Sequence, residues 1–298
     1  MIRPSSFRRN SETATNNYFQ NEILNLNNDS ILKKATLEFD KLVLKIKGCG
    51  IKVFVFQDDL TYDTPDSIYP NNWITFHTNK RIALYPMLDK NRRHERNEKV
   101  LEFLEKNKIY INDLVDYSSA EKKEMFLEGT GSMVFDRINK KAYCSLSERT
   151  NEDLIFEFCN DFEYMPIIFN AFQDHEKIRK PIYHTNVMMC LAENYSIICL
   201  DAIDKKEERE MVIKSLKDDN KEIITISENQ LNFFTGNMIE LKNGDESFLC
   251  MSTKAYSSLD NNQLKKLRSY SKLIHSSVDT IEKCGGGSVR CMITEIFN

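Results

Sequence analysis

Apolar residues recur along the chain at two different spacings, and these spacings predict both helices and strands. In residues 30–47, Ile31, Leu37, Leu42 and Ile46 follow one another at near-helical spacing, whereas short apolar runs such as 51–56 predict strands. The predicted helices are 30–47, 90–106 with Asp89 as N-cap, 152–159, 205–217, 228–234 and 261–275. The predicted strands are 51–56, 73–77, 81–85, 132–136, 142–146, 165–169, 186–191, 196–201, 222–226, 238–241 and 247–252.

Strands and helices alternate over the whole length, which is the pattern of an α/β fold. The chain has 298 residues, enough to bury a sizeable core. No linker rich in proline, glycine or serine divides it, so we predict a single domain, residues 1–298. No close internal repeat is visible in the sequence.

Charge narrows the range of partners. The chain carries 41 Lys and Arg against 45 Asp and Glu, a formal net charge of −4. Nucleic-acid-binding proteins usually carry a basic excess, so we expect no nucleic-acid partner. Residues 1–20 are polar, and the longest apolar stretches, 187–192 and 196–200, are too short to cross a bilayer. We expect a cytoplasmic protein without a membrane partner. The sequence is compatible with a homo-oligomer and does not predict the oligomeric state.

Glycines are few and clustered, and the cysteines show no pairing pattern. Only 9 glycines occur, three of them together at 285–287. Glycine is needed where φ is positive or where backbone approaches another group closely, so these positions mark candidate sites. The 8 cysteines include no Cys-x-x-Cys, and we expect them to be reduced core residues without a metal site.

Cys291 is the first candidate for chemistry. It follows the glycine run in GGGSVRCM (285–292) and stands next to Arg290. A neighbouring cation raises the thiolate fraction of a cysteine, so Cys291 is a candidate nucleophile. The alternative is a tight turn entering a buried strand, with Cys291 as a small apolar residue.

His184 is the second candidate. In PIYHTNVMM (181–189) it stands at the entrance to a predicted strand, where its ring can act as base and acid near neutral pH. Asn186, two residues on, is expected to face the same side of that strand. The alternative is a core or surface histidine with a single hydrogen bond.

Glu128 is the third candidate, since it precedes a glycine pair in LEGTGS (127–132). The glycines allow a backbone turn to approach a pocket. The segment is not a dinucleotide-binding fingerprint, because a third glycine is missing and a strand follows it rather than precedes it. The run at 285–287 is not a Gly-x-Ser-x-Gly nucleophile turn either.

The sequence resembles the guanidino-group modifying superfamily. The resemblance rests on Glu, His and Cys in this order and on flanking motifs that are spread over nearly the whole chain. This superfamily includes arginine and agmatine deiminases, dimethylarginine dimethylaminohydrolases and glycine amidinotransferases; the nearest resemblance is to bacterial arginine-deiminase-related proteins of the citrulline-utilisation type. The resemblance implies an α/β propeller with five-fold pseudosymmetry and an active site on its axis. The matching segments are Arg3-Pro4, NSETATNNYFQ (10–20), Asp66 with PNNW (70–73), LYPM (84–87), RRHER (92–96), LEGTGS (127–132), LSERTN (146–151), HTN (184–186), GNM (236–238) and GGGSVRCM (285–292).

The resemblance implies a role for each of the three candidates. Cys291 matches the nucleophile that attacks the guanidino carbon. His184 matches the histidine that protonates the leaving amine and then activates water. Glu128 matches the carboxylate that orients this histidine and binds the substrate cation. No metal and no organic cofactor are expected.

Substrate contacts follow from the same resemblance. Asp66 matches an acidic residue at the substrate head, and Arg149 matches an arginine that pairs with the α-carboxylate. We assign a second substrate arginine to Arg96, although Arg92 and Arg93 stay open and a solvated charged face is the alternative. Asn72 and Asn186 complete the expected binding set.

Two departures from the related deiminases concern the substrate head. Asn71 and Asn72 stand where those enzymes have an acidic residue, and His184-Thr185-Asn186 replaces His-x-Asp. Fewer carboxylates hold a cation less firmly, so a neutral ureido group, as in citrulline, is a candidate besides guanidinium.

Three functions are compatible with the sequence. The first is a cysteine-dependent hydrolase of a C–N bond in a guanidino or ureido amino acid of the arginine, methylarginine or citrulline class. The second is an amidinotransferase, which passes the amidino group to an amine instead of water. The third is a non-catalytic binding protein on the same fold.

Overall fold

The computed structural model describes residues 1–23, 26–175 and 177–297, which form helices and strands in alternation. The α-helices are α1 (Asn28–Gly48), α2 (Glu98–Lys106), α3 (Gly129–Ser132), α4 (Glu152–Phe162), α5 (Thr185–Met188), α6 (Lys206–Asp218), α7 (Glu228–Leu231), α8 (Thr253–Ser258), α9 (Asn261–Tyr270) and α10 (Asp279–Gly285). The strands are β1 (Ile2–Arg3), β2 (Phe56–Gln57), β3 (Ile74–His77), β4 (Arg81–Leu84), β5 (Asp113–Asp116), β6 (Met133–Asp136), β7 (Lys141–Ser145), β8 (Met165–Phe169), β9 (Phe172–His175), β10 (Ile178–Pro181), β11 (Met189–Leu191), β12 (Tyr195–Ile198), β13 (Glu222–Thr225), β14 (Ile239–Asn243), β15 (Glu246–Ser252) and β16 (Lys272–Ser276).

Within the described residues, four three-stranded sheets repeat one pattern: β3-β4-β5, β6-β7-β8, β11-β12-β13 and β14-β15-β16. In each sheet the first two strands pair antiparallel and the last two pair parallel. A parallel pair needs a crossover, which α2, α4, α6 and the α8–α9 segment supply in turn. A fifth unit pairs β1 with β2 in parallel across α1. These units give the five-fold repeat that the resemblance implies, and the β9–β10 hairpin is an addition to it.

Helix α1 supports the C-terminal part of the chain. Its first turn is capped by Asn27, whose side chain accepts a hydrogen bond from the backbone N–H of Ser30. Its buried face belongs to the same apolar cluster as Val289 and Cys291, so the segment that carries the candidate nucleophile rests on a packed helix. The buried residues of this face are Ile31, Ala35, Phe39, Leu42, Val43 and Ile46.

Helix α9 ends earlier than the sequence predicts. The predicted helix 261–275 stops at Tyr270, and Lys272–Ser276 forms β16, parallel to β15. Leu267 and Ile274 are both buried and lie seven residues apart, which fits a helical spacing. Because this helical spacing continues across Ser271, the apolar pattern does not indicate that the helix ends there.

The predicted helix 90–106 and three predicted strands also need correction. Helix α2 begins only at Glu98, where Asn97 rather than Asp89 supplies the cap, and Asn91–Glu95 is a 3₁₀ turn. The side chains of Arg92 and Glu95 are buried and paired within this 3₁₀ turn, so residues 91–95 do not continue the face pattern of α2. Of the predicted strand 51–56 only Phe56 is in a strand. The predicted strand 186–191 begins at Met189, after α5, and the predicted strand 196–201 ends at Ile198.

Equivalent places in successive units are occupied by Asn72, Glu128 and His184, which the sequence singled out, and by Asn237, which was given no role. Asn72 stands two residues before β3, and α3 with its preceding Glu128 leads into β6. His184 and α5 lead into β11 in the same way, and Asn237 stands two residues before β14. The repeat therefore places the turns that precede the first strands of the sheets close to one another.

Three further features concern the cysteines, the helices and possible metal ligands. All eight cysteines lie in the described ranges and none forms a disulfide; seven are buried and Cys49 is partly exposed. No described helix has both the length and the apolar character that a membrane span requires. The described residues hold no cluster of three His, Cys, Asp or Glu side chains placed to bind a metal ion.

Candidate active site

A narrow polar cavity collects most of the residues that the sequence singled out. It includes Cys291, His184, Asp66, Asn72 and Arg149 from the predicted set. Glu128 lies directly behind His184 and is fully buried. The complete lining is Thr13, Asn17, Gln20, Asp66, Tyr69, Asn72, Arg92, Arg149, Tyr183, His184, Gly285, Gly286, Gly287 and Cys291.

A larger cavity of about 570 Å³ lies elsewhere, between residues 51–54, the hairpin turns at 135–138 and 191–193, and residues 293–297. Its lining holds neither histidine nor cysteine. Several charged groups there are paired with each other, as in Lys221 with Asp136 (2.9 Å) and Lys242 with Glu193. The narrow cavity, with its thiol, imidazole and carboxylates, is therefore the candidate active site.

His184 is oriented by Glu128. Its Nε2 lies 2.8 Å from Glu128 Oε2, and both side chains are buried. A carboxylate only accepts, so Nε2 carries the proton and Nδ1 is left as a base. Burial lowers the pKa of His184, and the bond to Glu128 opposes this only in part. The ring is therefore neutral at pH 7, ready to accept a proton at Nδ1.

Glu128 remains ionised although it is buried. Burial alone would raise its pKa, but the guanidinium of Arg149 and the bond from His184 bring the pKa of Glu128 below its ordinary value. Arg149 Nη1 lies 3.0 Å from Oε2 and 3.2 Å from Oε1, and the backbone N–H of Leu88 donates to Oε1 at 3.1 Å. A buried carboxylate with this many partners is a fixed anion beneath the imidazole.

Arg92, rather than Arg96, lies at the cavity. Arg96 binds Glu121 at 2.6 and 3.1 Å and the carbonyl of Tyr85, and it does not contribute to the lining. Arg92 makes a two-pronged contact with Glu95 at 2.8 and 2.9 Å. The two arginines are four residues apart, so a continuous helix would have put them on one face; the 3₁₀ turn separates them.

Asp66 and Asn72 present unused hydrogen-bonding atoms at the cavity. Asp66 Oδ2 accepts from Asn10 (2.8 Å) and Thr13 (3.1 Å), whereas Oδ1 is buried without a partner among the described residues. Arg92 Nη1 donates to Asn72 Oδ1 at 3.0 Å, which fixes the amide so that Nδ2 is a buried donor, again without a described partner. The site thus offers an acceptor and a donor to a ligand.

Arg149 is held by several acceptors. Besides Glu128, it contacts Asp89 Oδ2 at 2.7 Å and Asn16 Oδ1 at 2.6 Å. The segment around Asn16 comes from the N-terminal motif of the sequence and lies over this end of the cavity. A ligand carboxylate that pairs with Arg149 would take the place of one of these contacts.

Asparagines, and not Arg290, supply the hydrogen bonds around Cys291. The guanidinium of Arg290 binds Glu295 (3.0 Å) and the carbonyl of Ile293 (2.9 Å), and it makes no described hydrogen bond to the sulfur of Cys291. Asn186 Nδ2 lies 3.6 Å from Sγ and Asn237 Nδ2 lies 3.3 Å away. Asn186 reaches the sulfur from α5, so the argument that placed it on a strand was wrong.

Asn237 was not assigned any role from the sequence. It is 1% exposed and touches both Sγ of Cys291 and the backbone of Asn186. The signal that can find it is the repeat: like Asn72, it stands two residues before the first strand of a sheet. That signal needs the strand boundaries, whereas the resemblance of GNM (236–238) is visible in the sequence but does not show what Asn237 contacts.

Gly131 gives a test of the site geometry that replaces none of the reacting side chains. A Cβ at this position would lie 2.5 Å from Asn72 Nδ2 and 2.7 Å from the His184 ring, so both side chains would have to shift. For the hydrolase that the sequence predicts, we expect Gly131→Ala to lower kcat about 100-fold, because displacements near 1 Å misalign reacting groups. Steady-state kinetics measures this.

The matched control is Gly48→Ala, since nothing lies within 4 Å of a Cβ there. It is expected to keep the original kcat. Equal rates for both variants would show that the position of the His184 ring has little influence on turnover.

Comparison with known proteins agrees with this architecture. The substrate-bound mutant N-terminal domain of ArgZ, an arginine dihydrolase from the ornithine-ammonia cycle in cyanobacteria, is 18% identical with a TM-score of 0.73, covering 99% of this chain and 97% of that domain. AgrE, in complex with ornithine and NAD⁺, is 17% identical with a TM-score of 0.73, covering all of this chain and 39% of AgrE. A dimethylarginine dimethylaminohydrolase in adduct with S-methyl-L-thiocitrulline is 15% identical with a TM-score of 0.60, covering 88% of each chain.

These likenesses confirm the predicted propeller fold. The chain spans only 38% of the whole ArgZ chain, so it corresponds to one part of that protein. No curated protein sequence gives a significant match. A sequence model of the family described as N,N dimethylarginine dimethylhydrolase, eukaryotic, matches residues 3–298. The chain therefore belongs to this family, within the guanidino-group modifying superfamily that its motifs resemble.

Proposed function

We propose that the protein is a cysteine-dependent hydrolase that cleaves a C–N bond at the guanidino carbon of an arginine-class amino acid. The observation that carries this proposal is the hydrogen bond of 2.8 Å between Glu128 and His184 beside a cavity that Cys291 also lines. A thiol, a neutral imidazole and a fixed carboxylate are the groups that this chemistry requires. Family membership and the arginine dihydrolase neighbours support the same substrate class.

The first half of the reaction forms a bond to sulfur. The thiol proton of Cys291 passes to His184 Nδ1, and the thiolate attacks the guanidino carbon. The C–N bond to one terminal nitrogen then breaks, and His184 returns the proton so that ammonia, or a methylamine, leaves. Cys291 is left as a covalent thiouronium.

The second half restores the enzyme. His184, neutral again, takes a proton from water, and the resulting hydroxide attacks the same carbon. The C–S bond breaks as the new hydroxyl group loses its proton to solvent, His184 returns its proton to the sulfur of Cys291, and the product carries a ureido group. An arginine substrate therefore gives citrulline and ammonia.

The contacts proposed for the substrate use the cavity atoms that lack a hydrogen-bond partner, together with Arg149. Asp66 Oδ1 is a buried acceptor for a guanidinium N–H, and Arg149 is the cation for the α-carboxylate. Arg92 adds positive charge near the head while Glu95 offsets it; burial raises the pKa of Glu95 to about 7, with Arg92 opposing.

A ureido substrate is the second candidate, and Asn72 is the observation that favours it. A guanidinium offers only N–H donors, so it cannot satisfy the buried Asn72 Nδ2. A ureido oxygen is an acceptor and can do so. We therefore propose citrulline-class hydrolysis as a further capacity of the same site, yielding ornithine, carbon dioxide and ammonia.

Product analysis tests both proposals. Purified protein is incubated separately with arginine, methylarginine and citrulline, and ammonia, methylamine, citrulline and ornithine are quantified. Turnover of at least one substrate is expected, and no turnover of any of them would contradict the hydrolase. Turnover of arginine with none of citrulline would reject the ureido capacity alone.

An added glycine acceptor separates hydrolase from amidinotransferase. The hydrolase is expected to give the same products with and without glycine. Formation of an amidino-glycine product only when glycine is present would favour the transferase.

A further inference from the structure

Asn237 is held against the sulfur of Cys291 by a close backbone packing. It stands in the turn before β14, where its N–H donates to the carbonyl of Phe234 at 2.8 Å. A Cβ on Gly236 would lie 2.3 Å from the carbonyl oxygen of Val187, so only glycine lets this turn approach α5 so closely. The approach brings the Asn237 side chain to the reacting atom.

Three contacts determine how the Asn237 amide is oriented. Its Oδ1 accepts from the backbone N–H of Arg290 at 3.1 Å, and its Nδ2 donates to the carbonyl of Asn186 at 3.0 Å. Oxygen and nitrogen cannot be exchanged without losing both bonds. The second Nδ2 hydrogen is consequently free for Sγ of Cys291, 3.3 Å away.

This donor matters because the sulfur is buried. Cys291 is 5% exposed, and the described residues within hydrogen-bonding distance of Sγ are the amides of Asn186 and Asn237, with no cation among them. A buried anion depends on hydrogen bonds that favour its charged form. Asn186 lies farther from Sγ, at 3.6 Å, and its side-chain amide has no other described partner.

We propose that Asn237 is a further catalytic residue, whose side-chain N–H stabilises the thiolate of Cys291 and fixes the sulfur for attack. The proposal rests on the proposed function only in that Cys291 is the nucleophile. Its consequence, a more reactive sulfur at neutral pH, is measurable without any substrate. Arg290 takes part through its backbone N–H, not through its charge.

Alkylation of Cys291 by iodoacetamide across pH 5–10 is the test, followed residue by residue with peptide mass spectrometry. The thiolate displaces iodide, so the rate follows the thiolate fraction. Asn237→Asp keeps the acceptor for Arg290 N–H but replaces the donor by a carboxylate. We expect a rate at pH 7 at least about tenfold below that of the natural protein, with the half-maximal pH raised by about one unit.

Asn237→Ala is the second variant, and Asn232→Asp, exposed on the same segment, is the control for added charge. The alanine variant is expected to shift in the same direction, and the control to match the natural protein. Melting curves show which variants are folded. A folded Asn237→Asp or Asn237→Ala protein with the natural rate profile would overturn the proposal.

The outcome is separable from that of the proposed function. If the natural protein turned over none of the amino acids tested, the hydrolase proposal would fail, while the alkylation profiles would still decide the role of Asn237. If turnover were found but Asn237 variants kept the natural alkylation profile, only the role of Asn237 would fall.

Discussion

Cys291→Ala is expected to abolish hydrolysis of arginine, lowering kcat by at least about 10⁴-fold. No other described thiol lines the cavity, and without the sulfur no covalent bond to the guanidino carbon can form. The side chain is small and buried, so the fold should persist with only a modest loss in the free energy of unfolding. Ammonia release and melting curves measure the two effects.

Cys284→Ala is the matched control, because Cys284 is a buried cysteine in α10 that does not line the cavity. It is expected to retain turnover within a few-fold. A Cys291→Ala protein that still releases ammonia at the natural rate would remove the nucleophile assignment.

Glu128→Gln is expected to damage both activity and stability. The change leaves Arg149 with one buried anion fewer and deprives His184 of the group that fixes its tautomer. Breaking a buried charge pair on one side costs about 3–5 kcal/mol in the free energy of unfolding. We expect kcat to fall about 10³-fold or more, as measured by steady-state kinetics alongside urea unfolding.

The pH dependence of this stability loss has a definite sign. The pKa of Glu128 in the folded protein lies below its ordinary value of 4.5, since Arg149 and His184 outweigh burial. The contribution of the carboxylate is therefore complete above pH 4.5 and decreases as the pH falls below it. The difference between Glu128→Gln and the natural protein should shrink accordingly in acid.

Glu121→Gln is the comparison that isolates the effect of the cavity. Glu121 also pairs with an arginine, Arg96, but both are partly exposed and lie outside the lining. Glu121 also accepts from the backbone N–H of Met87 at 2.9 Å, so this variant is expected to lose stability while it keeps turnover within a few-fold. Equal losses of turnover in both variants would show that pairing with any arginine, and not the position under His184, is responsible.

Local sequence patterns predicted much of the fold. The strands at 73–77, 81–85, 132–136 and 142–146 match β3, β4, β6 and β7 to within about two residues. Their apolar runs are bounded by polar turns, so local pattern suffices. The end of α9 and the start of β16 were not predicted. The pairing of β16 with β15 is a tertiary interaction, and the apolar spacing across both elements is that of a helix.

Some candidate site residues were predictable from local sequence motifs, whereas others needed the structure. Glu128, His184 and Cys291 stand in glycine-flanked or strand-entry segments. In the structure His184 and Cys291 line one cavity and Glu128 is hydrogen-bonded to His184 from behind, although their roles stay proposals. Arg92 was not distinguishable from Arg96 until the 3₁₀ turn was known. Asn237 reaches Cys291 across 54 positions of sequence, a contact that depends on the propeller closing and that the resemblance of GNM (236–238) alone does not predict.

Labelling with a haloacetamidine, a guanidine-like alkylating agent, tests the central claim most directly. Loss of arginine turnover and modification at each cysteine are followed together by activity assay and peptide mass spectrometry. We predict that activity falls in proportion to modification of Cys291 and that excess arginine slows both. Full modification of Cys291 with turnover intact, or inactivation that follows modification of another residue, would contradict the account.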